Sequence, residues 1–159
     1  MRGNKQLIAK LHEGLREELT AINQYFVHAE MCHDVGYRRL GNFIRKQSIG
    51  EMKHAEELLE RIPFLDGAPK MEPLPLTIGQ DVQVQLQNDL DLDVKAVVMY
   101  NEAIKVARDA GDNTSRELFE RLPKDDEEHV DFLEAQPHQI TQLGYERYLA
   151  QQIVGQDHE

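Results

Sequence analysis

Apolar residues recur every three or four positions over four long stretches of the chain, and over no strand-length run do they alternate with polar ones. The first stretch, from about Asn4 to Asp34, carries a seam of Ile8, Leu11, Leu15, Ile22, Tyr25 and Ala29, with Glu18 set into it. The second, about Tyr37 to Phe64, runs Leu40, Ile44, Gln47, Glu51, His54, Leu58. The third, about Val82 to Ala110, runs Leu86, Leu90, Asp93, Val97, Tyr100, Ile104, Ala107. The fourth, about Thr114 to Gln136, runs Phe119, Leu122, Asp126, His129, Leu133, Gln136. Gly36 and "GDNTS" punctuate the first and last joints, with Asn113 or Thr114 placed to cap the fourth helix. The proline-rich stretch 66–79 has no helical rhythm and is long enough to travel the length of a bundle. "ITQLGYERYLAQQI" predicts a short fifth helix over about Thr141–Gln152. The expected architecture is one all-α domain over residues 1–159: a four-helix bundle (about 4–136), a long crossover between the second and third helices, and a short C-terminal helix.

Six ionisable residues break these apolar seams: Glu18, Glu51, His54, Asp93, Asp126 and His129. Residues three apart on a helix lie within about 60° of one another, so Glu51 with His54, and Asp126 with His129, each present an acid and an imidazole to one point. Four ionised carboxylates in a bundle core each carry a desolvation penalty of several kcal/mol, and no Lys or Arg falls on the seams beside them. Two divalent cations neutralise four such charges. One acid from each of two helices plus an acid-x-x-His pair from each of the other two is the pattern of a dinuclear carboxylate site inside a bundle. Carboxylates with one imidazole per ion, and no thiolate, suit iron or manganese and leave positions open for dioxygen or peroxide; iron is the expected metal.

Charge and composition narrow the partners. The formal net charge is −11, which favours cations over polyanions such as nucleic acid. The start, "MRGNKQLIAKLHEGLREELT", lacks the apolar run of a signal peptide, and no stretch approaches the roughly 20 apolar residues of a membrane span. These features predict a soluble, cytoplasmic protein. A single cysteine, Cys32, allows no internal disulfide and reads as a buried thiol. His12, His28, His33, His138 and His158 lie off the six-residue constellation and read as surface or packing residues, and Glu127 and Glu128 as a solvated acidic face.

"LREELTAINQYFVHAEM", "SIGEMKHAEELLERI", "LDGAP", "LTIGQ", "DLDLDVKA" with "NEAI", and "DDEEHVDFLEAQ" occur in the order in which similar blocks occur in bacterioferritins. The chain resembles that family, within the ferritin-like superfamily, along essentially its whole length. The resemblance implies a ferritin-like bundle and a cage of 24 subunits, homomeric or mixed with a second bacterioferritin subunit. It implies oxidation of ferrous iron by dioxygen or peroxide at the diiron centre, iron storage as ferric mineral, haem b bound between subunits, and a ferredoxin-type reductase among the partners. It assigns Met52 as the axial haem ligand, given once by each of two symmetry-related subunits. Met52 lies about 100° from Glu51 and about 200° from His54 around its helix, so it points off the core if those two point in. Off-core methionines otherwise serve surface or interface packing. Ile22, Phe26 and Ile49 are candidate walls of the haem pocket. Tyr25 matches a family tyrosine beside the diiron centre, where it hydrogen-bonds a ligand or gives up an electron, or is simply a core tyrosine with a satisfied hydroxyl.

The chain departs from the family pattern at several positions. Glutamate is usual where Asp93 and Asp126 stand, and each lacks one methylene, about 1.5 Å of reach. Lys46 and Gly50 replace a histidine and an aspartate on the cage-facing side of the second helix. Pro63, Pro123 and Pro137 are expected to interrupt helices, with a kink just before Asp126. Two readings follow: a competent ferroxidase and storage subunit, or a haem-carrying, electron-transfer and structural subunit with an impaired diiron site, paired in a mixed cage with a ferroxidase-competent partner. A DNA-protecting mini-ferritin is opposed by the net charge, the lack of a basic tail and the fifth helix.

Overall fold

The computed structural model describes residues 2–154, which contain helices α1 (Lys5–Asp34), α2 (Arg38–Phe64), α3 (Val82–Asp109), α4 (Asn113–Leu143) and α5 (Tyr145–Gln152), and no strand among the described residues. His158 lies outside them. α1 to α4 form the expected four-helix bundle. No described helix is long and apolar enough to cross a membrane.

The helix ends follow local chemistry. Asn4 caps α1 by accepting from the amides of Gln6 (2.8 Å) and Leu7 (3.2 Å). Gly36 closes α1 at φ +86°, a conformation side chains resist. The cap of α4 is Asp112, one or two residues earlier than expected. Its carboxylate accepts from the Ser115 amide at 3.0 Å and from Arg61 Nη2 at 2.9 Å, so one side chain caps α4 and ties it to the end of α2. That second partner makes Asp112 the better cap.

The expected interruptions by proline do not occur. α2 includes Pro63, and α4 runs through Pro123 and Pro137 to Leu143, seven residues beyond the expected end at Gln136. Each proline removes one amide donor and crowds the preceding turn. Leu122, Pro123, Asp126, Leu133, Gln136 and Ile140 are nonetheless all buried, so packing on both sides of each proline holds the helix. α5 then begins at Tyr145, after Gly144.

α1 packs along α2, α3 packs along α4, and the two hairpins meet chiefly through α1 and α3, whereas α2 and α4 barely touch. One apolar cluster, including Leu11, Leu15, Leu58, Ala103 and Phe119, fills one end of the bundle. A second, including Tyr25, Leu40, Ile44, Leu86, Leu133 and Tyr148, fills the other. The ionisable seam residues sit between them.

The crossover is fastened to α1 by acceptors spaced four residues apart on one helix face. Thr20 Oγ1 accepts from the Leu74 amide (2.8 Å), Gln24 Oε1 from Thr77 (3.0 Å), and His28 Nε2 from Gly79 (3.0 Å). Asp89 on α3 completes the strap, taking hydrogen bonds from Gln24 Nε2 (3.0 Å) and His28 Nδ1 (2.8 Å). Since Nε2 of His28 accepts, Nδ1 carries the proton. A Cβ on Gly79 would stand 2.4 Å from the Gln85 amide nitrogen, so only glycine passes here. Asp89→Ala leaves two buried donors unmatched and is expected to destabilise the subunit by about 3 kcal/mol. Hydrogen exchange at the Thr77 and Gly79 amides should accelerate in that variant while exchange at mid-α2 amides is least affected.

Candidate metal centre

Five buried residues from three helices and the α2 pair converge in two sets. One ligand atom each from Glu18, Glu51 and His54 lies within 4.8 Å of the others, and the same holds for Glu51, Asp93 and His129. Glu51 belongs to both. Glu51 and His54 sit one turn apart on α2, Glu18 comes from α1, Asp93 from α3, and His129 from α4. Asp93 therefore reaches the cluster despite its shorter side chain. Asp126 does not: it is buried, yet it joins neither set.

Among the six seam residues, three buried polar atoms lack a hydrogen-bond partner: Asp93 Oδ2, Asp126 Oδ2 and His129 Nδ1. The first and last approach to 2.9 Å, but not at an angle a hydrogen bond takes. Buried polar atoms are rarely left in this state. Oxygen and nitrogen donors that converge without bonding one another are what a divalent cation requires, so these residues fit the metal that the spacing predicts.

Neighbouring groups fix the ligands. The Tyr25 hydroxyl donates to Asp93 and the Tyr100 hydroxyl to Glu18. Burial first, then the adjacent carboxylates, push both phenols well above their usual range, so both remain donors. Tyr25 is thus a core tyrosine bonded to a candidate ligand, and Tyr100, which reads in the sequence as an ordinary seam residue, has the same job on the opposite side. A second residue hidden from the seam pattern is Asp125, whose Oδ2 lies 2.8 Å from His54 Nε2.

Without a cation, protons take up the charge. Burial, then the Glu18 charge, raise Glu51 to about 8. Burial, then the charges of Glu51 and Asp93, raise Asp126 to about 10. Burial opposes a charged His54 ring, but Glu18 and Glu51 together outweigh it and push His54 up to about 12. Burial raises Asp93 also, against the pull of His129 and Tyr25.

The centre is reached from the side where α2 and α4 stand apart. A cavity of about 350 Å³ there is lined by Phe43, Gln47, Gly50 and Phe132, with Glu51, His54 and His129 in its wall and the exposed acids Asp125 and Glu128 at its rim. Glu127 is exposed, as expected. Lys46 lines a separate cavity of about 830 Å³ toward α5. On the outer faces of α1 and α2, Met52 is 59 % exposed, Phe26 52 % and Ile49 48 %, while Ile22 is half-buried.

Residues 8–143 match the ferritin-like domain family. The chain is 40% identical over 149 residues to a bacterioferritin of Brucella melitensis biotype 1, covering 93% of this chain and 92% of the relative. It is 40% identical over 152 residues to bacterioferritin BfrA of Mycobacterium tuberculosis, covering 95% and 96%, and 40% identical over 151 residues to a bacterioferritin of Streptomyces coelicolor, covering 94% and 90%. The chain belongs to the bacterioferritin family. Bacterioferritin membership supports iron storage as its role and iron as the metal bound, and ferroxidase activity as a property of the family in general.

The raised groups have a consequence for stability. In the cation-free subunit Glu51, Asp126 and His54 hold protons at neutral pH that the unfolded chain has wholly or largely released, so stability falls as pH rises from the ordinary carboxylate range, through about 8 for Glu51 and on through about 10 for Asp126 and about 12 for His54. The thermal unfolding midpoint of chelator-treated protein is expected to drop between pH 6 and pH 8. Adding Zn²⁺ should flatten that profile and, at pH 7, expel protons detectable as a buffer-dependent heat in calorimetry.

Proposed function

We propose that this bacterioferritin is an iron-storage subunit that oxidises ferrous iron at a dinuclear site within the bundle and deposits ferric mineral inside a 24-subunit cage. The observation that carries the reading is Glu51, common to two three-residue sets whose remaining members include buried atoms with no hydrogen-bond partner. Ferrous iron is the substrate. Glu18 and His54 hold one ion, Asp93 and His129 the other, and Glu51 serves both. Each ion gives up one electron, and the pair is taken by dioxygen or peroxide. Tyr25 and Tyr100 keep Asp93 and Glu18 aimed inward, and the two flanking apolar clusters exclude bulk water. The α2–α4 cavity is the path that joins the centre to solvent.

Haem b belongs to the same proposal. Met52 and Ile49 on α2 and Phe26 on α1 are exposed and Ile22 on α1 is half-buried, apolar surface that a two-fold axis would double with one methionine on each side. A reductase of the ferredoxin type is the corresponding electron partner.

One observation favours the second reading, a haem-carrying subunit with a weakened site that shares its cage with a ferroxidase-competent partner: Asp126 stands outside both sets. Asp126→Glu is therefore expected to tighten the binding of the ion beside His129 by about tenfold, the scale on which supporting groups act on metal affinity, and to speed ferrous oxidation. Asp93→Glu, at a position that already converges, should bring no gain. Ferrous oxidation followed by absorbance in cages of this chain alone tests both readings: ordinary ferroxidase turnover in such a cage, together with a homogeneous native cage by mass spectrometry, rejects the mixed one. Met52→Leu is expected to abolish bis-methionine haem ligation while leaving the unfolding midpoint unchanged; an unaltered haem spectrum in that variant removes Met52 from the role.

A further inference from the structure

We propose that Asp125, an exposed acid outside both ligand sets, is the positioning residue that holds His54 in the tautomer and orientation a cation needs. The inference rests on the dinuclear reading above and adds a residue to it. His54 is buried, and its two ring nitrogens face different groups: Nδ1 lies 3.0 Å from Glu51 and 3.6 Å from Glu18, while Nε2 lies 2.8 Å from Asp125 Oδ2. An ionised carboxylate only accepts, so Asp125 assigns the proton to Nε2. A cation that displaces the other ring proton then finds the Nδ1 lone pair on the side where Glu18 and Glu51 converge.

The surroundings explain why this ring needs such a partner. His129 is steadied by aromatic neighbours, with Tyr25 edge-on at 5.4 Å and Phe43 at 5.7 Å between ring centres. His54 faces the gap between α2 and α4 and forms part of the wall of the 350 Å³ cavity. A hydrogen bond thrown across the gap from α4 does for His54 what packing does for His129. Asp125 makes it from a water-exposed position, with its side chain 71% accessible, so the bond is added from outside the bundle. It also couples the helices, because the next residue along α4 is Asp126 and the third beyond that is His129. The turn that carries the second ion's imidazole thereby orients the first ion's.

The test is a Co²⁺ titration of the assembled full-length protein, read by visible absorbance. Asp125→Ala is expected to weaken cobalt binding by about tenfold. Asp125→Asn, whose amide oxygen still accepts from Nε2–H, should restore nearly all of it. Glu128→Ala removes a charge from the same cavity rim without touching His54 and should bind like the parent. The proposal is overturned if Asp125→Ala binds like the parent. It is equally overturned if Asp125→Ala and Glu128→Ala weaken binding alike while Asp125→Asn gives no rescue, because Asp125 then acts only as a charge. A parent protein that binds no cobalt rejects the dinuclear reading, and the role of Asp125 with it, before any variant is compared.

Discussion

Like charges confined in a small dry volume set the terms for the rest of this molecule. Glu18, Glu51, Asp93 and Asp126 are all buried in the middle of one bundle, and Glu18, Glu51 and Asp93 each have an imidazole as ion-pair partner. Ionised together without compensation, they would push the helices apart. Positive charge has to be present, either as protons on Glu51, Asp126 and His54 or as metal. Burial is therefore bearable only where protons on these groups, or the metal proposed for them, supply that charge. The apolar clusters on either side carry the stability that such a centre subtracts.

The same constraint shapes the periphery of the site. A buried carboxylate keeps a fixed direction only if something donates to it, and Tyr25 and Tyr100 do so for Asp93 and Glu18 from opposite hairpins. Both hydroxyls come from seam positions, so each tyrosine contributes apolar ring surface to the core and one donor to the centre. Met52, the residue proposed for haem, is exposed on α2 while Glu51 and His54 of the same helix are buried, so the two proposed roles fall on different faces.

Much of this was legible in the order of residues, and the parts that were not have physical reasons. A period of 3.6 exposes any charged residue set among leucines, so Glu18, Glu51, His54, Asp93, Asp126 and His129 could be picked out as inward-facing before any coordinates. Reach could not be judged that way. Asp93 and Asp126 lack the same methylene, yet Asp93 falls within a converging set and Asp126 does not, a difference the seam pattern does not carry. Asp125 was hidden because its bond crosses a gap that no periodicity describes. The buried strap of Thr20, Gln24, His28 and Asp89 was passed over because polar residues beside an apolar seam look like its solvent edge, although their four-residue spacing is itself a signal. The prolines misled because intrinsic helix preference is weaker than the burial of the residues on either side of them.

That strap also bears on how the chain finds its topology. The acceptors at Thr20, Gln24 and His28 line up only when α1 is already helical, so the crossover has no track to follow until then. The α1–α2 hairpin closes through near-neighbour contacts, whereas bringing α3 alongside α1 demands closure of a much longer loop. Amides 74, 77 and 79 pin the crossover to α1 at three successive points, so that in the folded chain the long connection is held as a series of short spans. Asp89 then arrives on α3 to find two donors waiting. The ladder is in this sense a guide as well as a fastening: it is satisfied by one direction of climb along the bundle, and with it by the pairing of helices that brings Glu18, Glu51 and Asp93 together.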